Sequence, residues 1–117
     1  MPEFSSKWLE AIHEREAMLG SQSLRRMAKI YIDELDAILE QAIDALRNGD
    51  IETARRAAHH LGGNAGSMDF LELSGMAQQI EEACMRADRD CAMAQIQQAI
   101  PVAQRSRNQL RQHFKLI

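Results

Sequence analysis

Two adjacent histidines, His59 and His60, stand in the run Arg55-Arg56-Ala57-Ala58-His59-His60-Leu61-Gly62-Gly63-Asn64-Ala65-Gly66-Ser67, which also holds three of the chain's six glycines. On a helical wheel of roughly 100° per residue, Ala54, Ala58, Leu61 and Ala65 gather on one apolar side. His59 then points away from that side, and Gly62, Gly63 and Gly66 fall within roughly 60° of it, leaving the imidazole's own side stripped of side chains. An interior glycine costs about 1 kcal/mol relative to alanine, so three beside one imidazole point to a close approach by something else. The plainer alternative is a helix that stops at Gly62-Gly63 as a C-cap. Leu61, Ala65 and Met68 keep the helical register beyond the glycines, which favours a continuous helix.

A solvent-exposed imidazole is substantially neutral at pH 7, so a ring nitrogen offers a lone pair for nucleophilic attack without a base. Such chemistry needs an activated donor. Nothing in the chain looks like a phosphate-cradling glycine loop before a helix or a metal-binding carboxylate cluster, so a partner must bring the donor machinery. Metal chemistry has weaker support. Glu10-Ala11-Ile12-His13 has the Glu-x-x-His spacing of bundle di-metal sites but occurs once. His59 and His60 point roughly 100° apart and rarely converge on one zinc with Cys84 or Cys91, and those two cysteines lack a short Cys-x-x-Cys spacing. No metal site is expected, and both thiols should be reduced.

The elements that must hold these residues read as helices. There is no proline between Pro2 and Pro101, and the chain has one valine and one threonine. Leu24, Ala28, Tyr31, Leu35, Ile38, Ala42 and Ala45 recur at helical spacing, predicting a long helix over about 22–48. Asn48-Gly49-Asp50 ends it and caps the next helix, along which Ile51, Ala54, Ala58, Leu61, Ala65 and Met68 continue the period. A fourth helix is predicted from about 69 to 87, with Asp69 as its cap and Leu73, Met76, Ala77, Ile80, Ala83 and Cys84 inward. A fifth starts near Asp90 and carries Ile96, Ala99, Ala103, Leu110 and Phe114 inward; Pro101 should bend or end it. Trp8, Ile12, Arg15 and Leu19 predict a short first helix closing one end. The expected fold is all-α: an antiparallel four-helix bundle with a short additional N-terminal helix, in a single domain over 1–117.

Composition agrees with a soluble globule, since 45% of residues are apolar and 26% charged. A net charge of −3 with interspersed signs argues against nucleic acid. The basic stretch of Arg105, Arg107, Arg111 and Lys115 fits a solvated helix end near the negative pole of the dipole. Charges among the first fifteen residues break any signal-peptide core, and no run has membrane-spanning length, so a cytoplasmic, non-inserted protein is expected, as a monomer. Met1-Pro2-Glu3-Phe4 reads partly as a cloning remnant.

The segment Ala58 to Ser67 resembles the histidine phosphotransfer (HPt) family motif, His-x-Leu-Lys-Gly followed by small residues. The long upstream helix, the Asn48-Gly49-Asp50 turn and the stretch from Leu73 through Glu81 are similar to that family's layout. The resemblance implies a phosphorelay intermediate that takes a phosphoryl group on His59 from a receiver-domain aspartyl phosphate and passes it to another receiver. His60 fills the motif's variable position. It further implies no cofactor in this chain, magnesium on the partner receiver, and response-regulator receivers and a hybrid sensor kinase as partners. Arg55, Arg56, His60, Gly62, Gly63 and Gly66 are the expected partner-binding residues. Two positions depart from the family: Gly62 stands where a lysine is usual, and Asp69 where a glycine is common. Arg55, one turn before His59, is the candidate for the missing positive charge. Without the lysine, a helical module that binds a receiver or kinase without being phosphorylated is the competing expectation.

Overall fold

The computed structural model describes residues 6–116, in which five helices are joined by short turns: α1 (Ser6–Leu19), α2 (Ser21–Arg47), α3 (Ile51–Ser67), α4 (Leu71–Met85) and α5 (Arg89–His113). Helices α2 to α5 form the expected antiparallel four-helix bundle, each packed on the next and α5 returning to α2, while α1 packs on α2. At 1.5 Å per residue the 27 residues of α2 span about 40 Å, which accounts for the 42 Å long axis of the molecule. Met1-Pro2-Glu3-Phe4 lies outside the described residues.

Three connections share one geometry. In Asn48-Gly49-Asp50, Met68-Asp69-Phe70 and Arg86-Ala87-Asp88 the middle residue is left-handed, with φ of 77°, 63° and 57°. The residue after it donates its amide to a carbonyl five positions back, Asp50 to Ala45, Phe70 to Ala65 and Asp88 to Ala83. These are Schellman closures, which satisfy the last carbonyls of one helix and reverse the chain into the next. Asp50 and Asp88 then cap α3 and α5 through their carboxylates, to the amides of Thr53 and Cys91. The expected cap at Asp69 is corrected. Phe70 is the N-cap of α4 and offers no side-chain hydrogen bond, while Asp69 sits one residue earlier and gives both carboxylate oxygens to Arg15, at 2.8 and 3.0 Å.

Alanines on the inner faces, among them Ala28, Ala54, Ala58, Ala65, Ala77 and Ala103, bring the helices close around Leu24, Leu35, Leu61, Leu73, Ile80, Ile96 and Leu110. Pro101 does not end α5; it is exposed, and the helix continues past it to His113. The buried polar pair Tyr31 and Ser106 hydrogen-bonds at 2.6 Å, and burial pushes the Tyr31 phenol up to about 12. At the end closed by α1, Trp8 stacks on Phe70 and donates its indole N–H to the Met68 carbonyl at 3.0 Å. Leu19, one of the residues whose spacing predicted α1, is exposed, and Met76, expected inward on α4, is only half-buried.

Candidate functional site

Helix α3 runs unbroken through Gly62 and Gly63 to Ser67, so the C-cap alternative does not hold. His59 sits near its middle, on the outer surface, with 76% of its side chain exposed. Its Nδ1 lies 3.3 Å from the carboxylate of Glu81, on α4. A carboxylate can only accept, so this contact calls for the proton on Nδ1, the tautomer whose in-plane lone pair sits on Nε2 in the neutral ring. Glu81 is largely covered, at 20% side-chain exposure, and also lies 3.5 Å from the Arg55 guanidinium.

Arg55 is anchored by Glu52 through contacts of 3.0 and 2.6 Å. The hydrogen bond to Glu52 raises the Arg55 pKa, and the same bond lowers that of Glu52. The structure thus gathers His59, Glu81, Arg55 and Glu52 into one row across the α3–α4 surface.

The glycines divide in function, which corrects the expectation of one open stripe beside His59. A Cβ on Gly62 would stand 3.4 Å from the Ala77 Cβ, and one on Gly66 would stand 3.5 Å from the Ser74 hydroxyl. Both lie against α4, and Ser74 Oγ ties the helices by donating to the Gly62 carbonyl at 3.1 Å. Gly63 alone among the three is open: a Cβ there would meet nothing within 4 Å, and the residue is exposed.

His60 and Arg56 fall outside this row. Nε2 of His60 approaches Glu34 of α2 at 3.8 Å, and the same Glu34 oxygen accepts from Asn64 Nδ2 at 3.1 Å. Arg56 is exposed and reaches Thr53 at 3.4 Å. Glu81, Glu34 and Ser74 were not singled out from the sequence. The available signal was register: in an antiparallel pair, residues placed symmetrically about Phe70 in the turn meet, as Gly66 does Ser74 and His59 does Glu81.

Elsewhere the basic stretch of α5 is partly neutralised, with Arg107 on Asp36 at 2.8 Å and Arg105 on Glu72 at 3.5 Å. Cys84 and Cys91 are not bonded to each other. Among the described residues no three His, Cys, Asp or Glu side chains converge as metal ligands, and no helix is long and apolar enough to cross a membrane.

A family model described as Hpt domain matches residues 26–114, from early α2 to the end of α5. Comparison with curated proteins and with solved structures gives no match.

Proposed function

The chain belongs to the Hpt domain family, whose members serve histidine phosphotransfer in phosphorelays, and from that premise we propose that it accepts a phosphoryl group on Nε2 of His59. The observation that carries this reading is the division of labour on one imidazole: Glu81 lies where it accepts a hydrogen bond from Nδ1, while Nε2 faces outward on an exposed surface beside Gly63. The donor is the aspartyl phosphate of a response-regulator receiver, or of a receiver within a hybrid sensor kinase. In the transfer the Nε2 lone pair forms the N–P bond as the P–O bond to the aspartate breaks, and the electron pair leaves with the carboxylate. The ring becomes a phospho-imidazolium that keeps its Nδ1 proton, and Glu81 offsets the added positive charge. The reverse step delivers the phosphoryl group to a second receiver.

No proton need leave the imidazole in either direction, so this chain acts as a carrier and supplies no base. Magnesium belongs to the receiver's site, with no cofactor held here. Arg55, 3.5 Å from Glu81, is the nearest guanidinium on the acceptor row and takes the part of the missing lysine by pairing with the new phosphoryl oxygens. Arg56, Gly62, Gly63, Gly66 and His60 complete the proposed contact surface, Gly62 and Gly66 by holding α4 close. We read 1–117 as one monomeric domain, cytoplasmic and not acting on nucleic acid.

The test is phosphorylation of the purified chain by an aspartyl-phosphorylated receiver. The wild type is expected to gain acid-labile, alkali-stable label, His60→Gln to keep most of it, and His59→Gln to lose it with helix content unchanged. Persistent label on His59→Gln overturns the assignment. A wild type that binds the receiver yet takes no label leaves the interaction module, for which Gly62 in place of the lysine is the supporting feature.

A further inference from the structure

Two of the four histidines lie off α3 altogether. His13, exposed on α1, and His113, half-buried in the last turn of α5, come from helices far apart in sequence, yet their ring centroids lie 5.9 Å apart with the planes tilted by 48°. Two imidazoles that share one ion through Zn–N bonds of about 2.0–2.1 Å have ring centroids roughly 5–6.5 Å apart, for N–Zn–N angles from tetrahedral upward. The observed separation falls inside that window. His113 is also held in place: Trp8 meets it edge-on at 5.7 Å and Phe114 at 4.7 Å. A ring locked by packing is a pre-oriented ligand, and His13, at the surface, is free to adjust to it.

We propose that His13 and His113 form a surface site for a borderline divalent transition-metal ion, Zn2+ or Cu2+, that pins α1 to the end of α5. Imidazole nitrogen suits these ions, whereas Mg2+ and Ca2+ prefer oxygen. Water completes the coordination, since two protein ligands are in reach. Burial lowers the His113 pKa, with Glu16 opposing that shift and His13 adding to it. Glu16, one turn from His13 on α1, also sets negative charge beside the ion.

The site is independent of phosphotransfer and is tested without it. Thermal melting of the full chain, free of any polyhistidine tag, is followed with chelator and then with rising Zn2+. Because an ion that binds only the folded state stabilises it by mass action, the wild-type midpoint should climb with zinc concentration. The climb should persist in the double variant His59→Gln/His60→Gln and vanish in His13→Ala, whose midpoint in chelator should match the wild type because His13 is exposed. Trp8, the sole tryptophan, reports the same site: Cu2+ should quench its fluorescence in the wild type and not in His13→Ala. No climb in the wild type, a climb unchanged in His13→Ala, or a climb lost in the double variant overturns the proposal.

Discussion

On its α4 flank, α3 presents Gly62 and Gly66 to Ala77 and Ser74, and the histidine above that seam is held at Nδ1 by Glu81. On its α2 flank it presents Asn64 and His60, which share one carboxylate, Glu34, and here the approach is to Nε2. Two neighbouring imidazoles of the same intrinsic chemistry are thereby made unequal. A carboxylate at the inner nitrogen orients a ring and leaves its outer nitrogen available, whereas one at the outer nitrogen stands where an electrophile would have to arrive. Under the proposed phosphotransfer, the helix that supplies the acid decides which of the two histidines offers its outer nitrogen.

The largest expected effect separates the glycines of the α4 flank from the one beside them. Gly63→Leu should cut phosphotransfer by roughly a hundredfold, because an isobutyl group in open space beside His59 holds the receiver beyond near-attack distance. The isolated domain should melt no lower, and its helix should gain up to about 1 kcal/mol in propensity. Gly66→Leu should reverse the pattern, with overpacking against Ser74 destabilising the fold by about 1–3 kcal/mol. Melting curves beside transfer rates check both; equal melting losses at 63 and 66 would erase the distinction.

Next in size is the carboxylate exchange. Glu81→Gln removes the acid that orients His59 and should slow transfer by about two- to tenfold, the kinetic worth of a hydrogen bond of about 0.5–1.5 kcal/mol. Glu34→Gln should leave the rate unchanged. Rapid-quench rates for the two variants decide it, and an equal slowing in both would mean that overall surface charge matters rather than the nitrogen addressed.

A smaller change is expected from Gly62→Lys. The new Cβ meets Ala77 at 3.4 Å, an ordinary contact at its tight limit, so the stability change should stay within about 1 kcal/mol of zero. The ammonium should lengthen the lifetime of the phosphohistidine, less so in high salt, where screening weakens it. Smallest of all, Ser74→Ala removes the bond to the Gly62 carbonyl and should lower stability by about 1 kcal/mol or less, measured by urea titration.

Much of the bundle was legible from residue types. The apolar period of α2 from Leu24 to Ala45 and the Asn48-Gly49-Asp50 turn sit close to where spacing put them, because a glycine after a helix declares a left-handed residue. The other two turns have the same backbone but hide it, since Asp69 and Ala87 carry no mark of a positive φ. That concealment is why Asp69 read as a cap. The wheel placed His59 outward correctly but set Gly62 and Gly66 in the open with it. A wheel gives direction from one helix axis and says nothing of how far a neighbouring helix wraps around it. Glu81 was invisible for a related reason: its partnership exists only once α3 and α4 have a register.

Helix α1 lies before the span that matches the family, yet it grips each residue of the α3–α4 turn: Met68 through the Trp8 indole, Asp69 through Arg15, and Phe70 through the Trp8 ring. Its link to α2 is Gly20, exposed at a φ of 88°. To a protease this junction is the natural place to enter once α1 lifts away, because local opening exposes cleavable backbone well before the bundle unfolds. Cleavage there would uncover Phe70 and the end of the core around Tyr31, turning a buried aromatic stack into a sticky patch. Among the described residues, the contacts that close this end of the bundle thus reach back to Trp8, ahead of the residues that match the family.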